Sequence, residues 1–259
     1  MTQTWNPDVY LRYQGYRARP ALDLIAQIEL ATDGPIVDLG CGPGNVTQVL
    51  RETWPNRPVT GVDLSKDMLA KAQSAYADGS VDWQQGDIAT WRAATPPALL
   101  FSNAALHWVQ NLERVIPRLA EHVQSQGCFA YQIPVTYDSA YQHCIRATVQ
   151  SDRWKAKLGN VWMYKDPPGP AAMYDLLSPM CTSVDIWETD YHHVLEGENP
   201  VLEWIKGTGL TPYLTVLNEV EQAEFIADYG AQVLQAYPKQ GDGSTLFLMS
   251  RIFVVARKS

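Results

Sequence analysis

The sequence predicts an α/β fold: a Rossmann-like, seven-stranded, mostly parallel sheet with an antiparallel last strand, helices on both faces and a helical lid insertion. Three observations carry this. Short β-rich runs alternate with helix-period segments through the first half. A strand runs into a glycine-rich turn and then a helix at Ile36 to Gly44. The chain closes on a long β-rich run, Ser244 to Ala256.

In order, Leu22 to Leu30 carries apolar residues on a helical period. Pro35 to Leu39 is a short strand, and Val46 to Thr53 a helix stopped by Pro55. Val59 to Leu64 is the second strand. Ser65 and Asp67 are helix-start signals for Met68 to Tyr76. Val81 to Gln85 alternates like a strand, while Ala98 to Ser102 is nearly all apolar, as a central parallel strand should be. Leu112 to Gln124 reads as a helix with Pro117 inside it, which predicts a kink or a late start. Gly127 to Ile133 is the fifth strand. The rhythm breaks at Pro134. Aromatic-rich, helix-like pieces follow to about Tyr213, interrupted by a strand pattern at Val184 to Val194. A long helix fits Glu219 to Tyr237, with Val220, Phe225, Tyr229, Val233 and Leu234 on one side. The whole reads as one domain over 1–259, with helical lid or substrate-cap insertions at 135–183 and 195–215.

Composition narrows the function classes. The 259 residues are 46% hydrophobic and 19% charged, which is ordinary for a globular chain. A net charge of −8 makes a poor partner for DNA, RNA or anionic membrane, because phosphate binding needs clustered cations. It leaves room for an anionic small molecule, which needs only a few local donors. Nine Trp and 13 Tyr against 5 Phe suit ligand pockets as well as cores. Cys41, Cys128, Cys144 and Cys181 lack metal-site spacing and read as reduced thiols of a cytoplasmic protein. The first residues do not resemble a signal peptide, and no apolar run reaches the roughly 18–20 residues of a membrane span. No metal is expected.

The sharpest feature is Asp38-Leu39-Gly40-Cys41-Gly42-Pro43-Gly44. Glycines let the chain turn tightly and let a ligand approach the backbone, and the helix beyond offers unpaired N–H groups. A dinucleotide would prefer a third glycine at position 45, which is Asn45. Pro43 removes a donor and Asp38 adds a carboxylate. Both disfavour a phosphate and suit a ligand with an ammonium and no phosphate, such as S-adenosylmethionine. Asp63 stands nineteen positions beyond Gly44, where a carboxylate accepts from both ribose hydroxyls. Leu64 and Met68 follow it. Gly86-Asp87-Ile88 ends the third strand, with Asp87 placed to accept from the adenine amino group. Asn103 and Ala104 open the loop after the fourth strand, beside the methionyl part, and His107-Trp108 lie just beyond. A single Asp at a strand end is more often a helix cap than a ligand. Four such signals in order, each at the carboxyl end of a strand, fall where open α/β sheets bind ligands.

These residues resemble the motifs of Rossmann-like S-adenosylmethionine-dependent methyltransferases. Longer stretches are similar to the branch of that family that methylates trans-aconitate: Trp5 to Tyr10, Ser102 to Trp108, Tyr174 to Leu177, Gly207 to Leu214 and Arg251 to Ala256. The resemblance spans nearly the whole chain. It implies S-adenosyl-L-methionine as cofactor, S-adenosyl-L-homocysteine as product and a small tricarboxylate as methyl acceptor, esterified at one carboxylate. An ionised carboxylate needs no general base, so no obligate catalytic acid or base is assigned. Binding a trianion demands local cations and hydroxyls. The candidates are His107, Trp108, Arg146, Tyr164, Tyr174, Tyr213 and Arg251, with Arg153, Lys155 and Lys157 nearby in sequence, and an Arg fork suits a carboxylate best. Tyr10 and Tyr13 could close over the cofactor. Three rival readings stay open: a methyltransferase for another acid or a malonyl thioester, an NAD(P)-dependent oxidoreductase, and a non-catalytic cofactor-binding regulator.

Overall fold

The structure, a computed structural model, describes residue 15, residues 18–161 and residues 166–259. Trp5 to Tyr10, Tyr13 and Tyr164 therefore lie outside the described residues. The chain divides into two compact units: Met1–Pro134 with Pro167–Glu188 and Arg251–Ser259, and Val135–Asp166 with Thr189–Ser250.

The first unit is built on parallel strands. β1 (Ile36–Leu39), β2 (Val59–Asp63), β3 (Val81–Gln85), β4 (Leu99–Asn103) and β5 (Cys128–Pro134) pair in the order β3-β2-β1-β4-β5. β7 (Thr245–Lys258) joins β5 antiparallel, with Gln132 opposite Phe253 and Pro134 opposite Arg251, and β6 (Cys181–Leu195) completes the seven-stranded order β3-β2-β1-β4-β5-β7-β6. Burial follows position in the sheet. β1 and β5 are buried along their whole length, while the edge strand β3 buries only Val81. Strands covered on both sides must be apolar throughout, which is why Ala98 to Phe101 and Cys128 to Tyr131 read as continuous runs.

The flanking helices show why local signals hold or fail. The first helix, α1, spans Arg19–Ile25 rather than Leu22 to Leu30, because Pro20 in its first turn sets the start earlier. α2 (Asn45–Thr53) follows the glycine turn. α3 (Lys66–Ala75) is capped by Ser65, whose hydroxyl accepts from Met68 N–H at 3.3 Å. α4 (Leu112–His122) starts well before Pro117 and runs through it. The expected late start does not occur: Val115, Ile116, Leu119 and Ala120 are buried on one side, and that packing outweighs the one donor the proline removes.

In the second unit, α5 (Ala140–Gln150), α6 (Lys155–Leu158), α8 (Pro200–Lys206), α9 (Thr211–Leu214) and α10 (Glu219–Ala236) surround a core that includes Tyr141, Trp154, Leu210, Phe225 and Phe247. α7 (Pro170–Leu177) belongs to the first unit and packs on α4. On α10 the buried stripe is Phe225, Tyr229 and Val233, with Gly230 beside it. Val220 and Leu234, expected on the same side, are 70% and 45% exposed, because at 100° per residue neither falls on an i, i+4, i+8 row.

The start of α10 is a capping box: Asn218 Oδ1 accepts from Glu221 N–H at 3.0 Å, and Glu221 accepts from Asn218 N–H at 3.0 Å. Asn218→Ala is expected to cost about 1 kcal/mol in urea unfolding, with Asn218→Asp close to wild type. Equal losses in the two variants would remove the cap from the stability of this unit.

Candidate active site

The site is assembled on the first unit, at the carboxyl ends of β1 to β5. Four loops leave the sheet there, and each carries residues that the sequence singles out.

The turn after β1 takes its shape from three glycines in the left-handed region: Gly40 (φ 76°), Gly42 (φ 55°) and Gly44 (φ 87°). Their surroundings differ. A Cβ on Gly40 would stand 2.2 Å from Ala105 Cβ, and one on Gly44 would stand 2.5 Å from the Trp83 ring, so these two glycines allow close packing. A Cβ on Gly42 would meet no atom within 4 Å. Gly42 therefore borders open space, where a ligand can reach the backbone. Gly86 is tight against Val62.

Two carboxylates fix this turn. Asp63 Oδ2 accepts from Gly42 N–H and Asp63 Oδ1 from Ser65 N–H, both at 2.8 Å, so one side chain ties the glycine turn to the start of α3. Asp38 is buried at the end of β1 and accepts from the Thr47 hydroxyl at 2.6 Å. Burial raises its carboxyl from 3.8 to about 7, against the pull of the Thr47 bond and with a further push from the Asp63 charge. Burial, together with Asp38 and Asp63, also pushes the Cys41 thiol far up, so it stays protonated. Carboxylates at this turn disfavour a phosphate and suit a cation.

The remaining loops add apolar and amide surface. Leu64 is 63% exposed and Met68 38% exposed beside Asp63, and Ile88 is buried. Asp87 spends Oδ1 on the N–H of Ala89 at 2.8 Å, which caps its own turn. Ala104 takes a left-handed φ of 51° without being glycine, and its N–H donates to the Gln132 carbonyl at 3.1 Å. His107 and Trp108 sit in a short 3-10 turn, Leu106–Trp108, with Trp108 exposed and the His107 Nδ1 buried. Burial first, and the Arg251 guanidinium second, push His107 from 6.5 down to about 3, so it is neutral at pH 7. Arg251 is itself buried and donates to Gln132 Oε1 at 3.0 Å.

Of the expected substrate groups, His107, Trp108 and Arg251 belong to this unit, as does Tyr174, which is exposed on α7. Arg146 and Tyr213 belong to the second unit. There the Arg146 guanidinium lies 4.0 Å over the Tyr137 ring, and its Nη1 is buried with no hydrogen-bond partner among the described residues. Tyr213 is buried against Phe225, and burial raises its hydroxyl to about 12 while Arg146 draws it back. Arg153 pairs with Glu224 and Asp228, and Lys157 with Glu221, which commits their charges to α10. Thr47, Trp83 and Gln132 were not expected here, whereas Ala105 lies in the small-residue stretch Ser102 to Trp108 that was. The alternation of β3 points to Trp83, whereas nothing local marks Thr47 or Gln132.

Comparison with known proteins places this geometry in a class. Residues 36–127 match a family model described as a methyltransferase domain. That match, with relatives 41% and 38% identical along 98% of the chain, shows that the chain belongs to the S-adenosylmethionine-dependent methyltransferases. Among its relatives, a protein of Streptomyces avermitilis named trans-aconitate 2-methyltransferase is 41% identical over 98% of this chain and 97% of its own length. One of the same name from Azoarcus is 38% identical over 98% of both. In fold, the chain is similar to the YcgJ protein of Bacillus subtilis (TM-score 0.61, 15% identity, 93% of this chain and 98% of that one). It is likewise similar to an S-adenosylmethionine-dependent methyltransferase of Mesorhizobium loti (TM-score 0.53, 19% identity, 95% and 100%). Among the described residues no helix is long and apolar enough to cross a membrane, and no His, Cys, Asp and Glu group is placed to hold a metal ion.

The Asp38 carboxyl gives a pH-dependent stability. Its folded value lies above its unfolded one, so its contribution is full below pH 4 and is lost as the pH rises toward 7. Asp38→Asn is expected to unfold at higher urea than wild type at pH 8.5, by on the order of 2–4 kcal/mol, with a smaller gap at pH 5. A gap that does not change with pH would contradict the buried, titrating carboxyl.

Proposed function

We propose that the protein transfers a methyl group from S-adenosylmethionine to a carboxylate oxygen of trans-aconitate, giving a monomethyl ester. The observation that carries the choice of acid is similarity along the full chain, 41% and 38%, to proteins named for that reaction. The site supports it with a buried cation, Arg251, on the same unit as a turn suited to a phosphate-free nucleoside.

When bound, S-adenosylmethionine supplies an electrophilic methyl carbon on a cationic sulfonium, whose sulfur leaves as the neutral thioether of S-adenosylhomocysteine. The chain's residues fit the cofactor part by part. The Asp38 carboxylate faces the ammonium. Each oxygen of Asp63 already accepts one N–H and keeps a second lone pair for a ribose hydroxyl. Asp87 keeps Oδ2 for the adenine amino group, and Leu64, Met68 and Ile88 flank the ring. Gly40, Cys41, Gly42, Gly44 and Gly86 shape the backbone, and Asn103 and Ala104 lie beside the methionyl part. For the acid we propose His107, Trp108 and Arg251 on the first unit, with Arg146, Tyr213, Tyr174 and Tyr164 as further candidates.

The chemistry asks little of proton transfer. A carboxylic acid is ionised at pH 7, and His107 is neutral there, so neither a base nor an imidazolium is required. The protein's work is placement and the exclusion of water around a weak nucleophile, effects worth at most ~7–11 kcal/mol.

Incubation with S-adenosylmethionine and a panel of di- and tricarboxylates, read by mass spectrometry, is expected to add one methyl group to trans-aconitate. Turnover of a different acid alone would replace the substrate. Arg251→Met should raise KM for the acid at least tenfold. Gly42→Val and Asp63→Ala should each weaken S-adenosylhomocysteine binding at least tenfold while unfolding remains cooperative. Wild-type affinity in both would discard the cofactor assignment, and tight binding of NAD in its place would favour an oxidoreductase.

A further inference from the structure

Three polar side chains form a ladder across neighbouring strands of the first unit. Arg251 on β7 donates from Nη1 to Gln132 Oε1 at 3.0 Å, and Gln132 on β5 donates from Nε2 to Asn103 Oδ1 at 2.6 Å, at the end of β4. The register supports the contact, since Asn103 pairs with Gln132 and Arg251 with Pro134, two residues farther along the same face of β5. Gln132 is 1% exposed and Arg251 7%, whereas Asn103 is half-buried at the carboxyl edge.

The ladder has a direction. A guanidinium can only donate, so Gln132 must turn its carbonyl oxygen toward Arg251. Its amide nitrogen then faces Asn103, which must turn its own oxygen inward. What Asn103 offers at the edge is its Nδ2, and that nitrogen donates to no described residue. We propose that Gln132 is a positioning residue that passes the donor-only character of Arg251 on to Asn103. The outward Asn103 N–H then receives a carboxylate oxygen. This rests on the methyltransferase reading above, in which two carboxylates come to the site: that of the cofactor's amino-acid end and that of the acid substrate.

Gln132→Glu reverses the ladder. A carboxylate at 132 accepts from Arg251 and cannot donate, so Asn103 turns its amide inward and shows an oxygen at the edge. The expected result is an affinity loss of at least fivefold, confined to carboxylate ligands. Three ligands locate it: S-adenosylhomocysteine and methylthioadenosine by calorimetry, and the acid by KM. Methylthioadenosine lacks the amino-acid end and should bind as in wild type. A loss on S-adenosylhomocysteine alone assigns the amide to the cofactor carboxylate, and a rise in KM with little change in kcat assigns it to the substrate. No loss on either, or an equal loss on methylthioadenosine, would overturn the proposal. If wild type methylates no acid, the substrate reading fails, while the two cofactor ligands still test the ladder. Gln132→Met breaks both amide bonds without setting a charge against Arg251, so it must show the same ligand selectivity; a loss confined to Gln132→Glu would report the neutralised arginine and would overturn the proposal, and Gln132→Met alone carries the test should Gln132→Glu fail to fold.

Discussion

The site depends on one carboxylate. Asp63 accepts from Gly42 N–H and from Ser65 N–H, both at 2.8 Å, and so joins the turn after β1 to the helix after β2. Charge-assisted bonds of this kind are stronger than neutral ones, and here they hold a left-handed glycine whose would-be Cβ points into open space. The tie adds to the turn's other bonds: Gly40 N–H and Cys41 N–H donate to the Val62 carbonyl at 2.8 and 3.0 Å, Gly44 N–H to the Cys41 carbonyl at 3.1 Å, and the Cys41 thiol to the Gly42 carbonyl at 3.7 Å. The sequence marks Asp63 as an acceptor for ribose hydroxyls, with capping the commoner role of an Asp at a strand end, and its backbone bonds show the second role. The same oxygens build the turn and keep lone pairs for whatever enters it.

Around that tie, packing explains glycines that ligand approach alone does not. Gly44 and Gly61 both lie under Trp83, with would-be Cβ atoms 2.5 Å from its ring, and Gly40 lies against Ala105. Loops after β1 and β4 can meet this closely only because both residues are small. A glycine motif read from sequence mixes these two reasons, close packing and ligand access. The structure separates them, leaving Gly42 as the position where access is the reason.

How much was legible follows from the range of each interaction. The strands, the Ser65 cap and the glycine turn are local and were readable, because alternation, a capping residue and a positive φ leave marks within a few residues. Pro117 offered a kink or a late start, and the late start fails because the helix begins at Leu112 and buries one face on both sides of the proline. Val220 and Leu234 misled because a generous apolar stripe was drawn where only Phe225, Tyr229 and Val233 face inward. Thr47 and Gln132 left no mark. Their partners lie nine residues away in one case, and twenty-nine and 119 in the other, and a polar residue in an apolar strand says only that something satisfies it.

That last point bears on how an acidic chain can hold an anion. The protein carries a net −8, and Asp38 and Asp63 already lie around the glycine turn. A carboxylate ligand is repelled by both, so the groups that orient a buried arginine matter as much as the arginine. Had a glutamate held Arg251 in the place of Gln132, the pair would cancel at close range, an attraction of about 4 kcal/mol at 4 Å for an effective dielectric near 20. A glutamine orients the guanidinium with a dipole and sets no opposite charge of its own against it. Its other end then spends a hydrogen bond on Asn103, so that a single neutral side chain sets both the field and the donor at the edge of the sheet. His107, pushed to about 3, fits the same economy: it fills space beside Arg251 without adding a proton that would have to be moved.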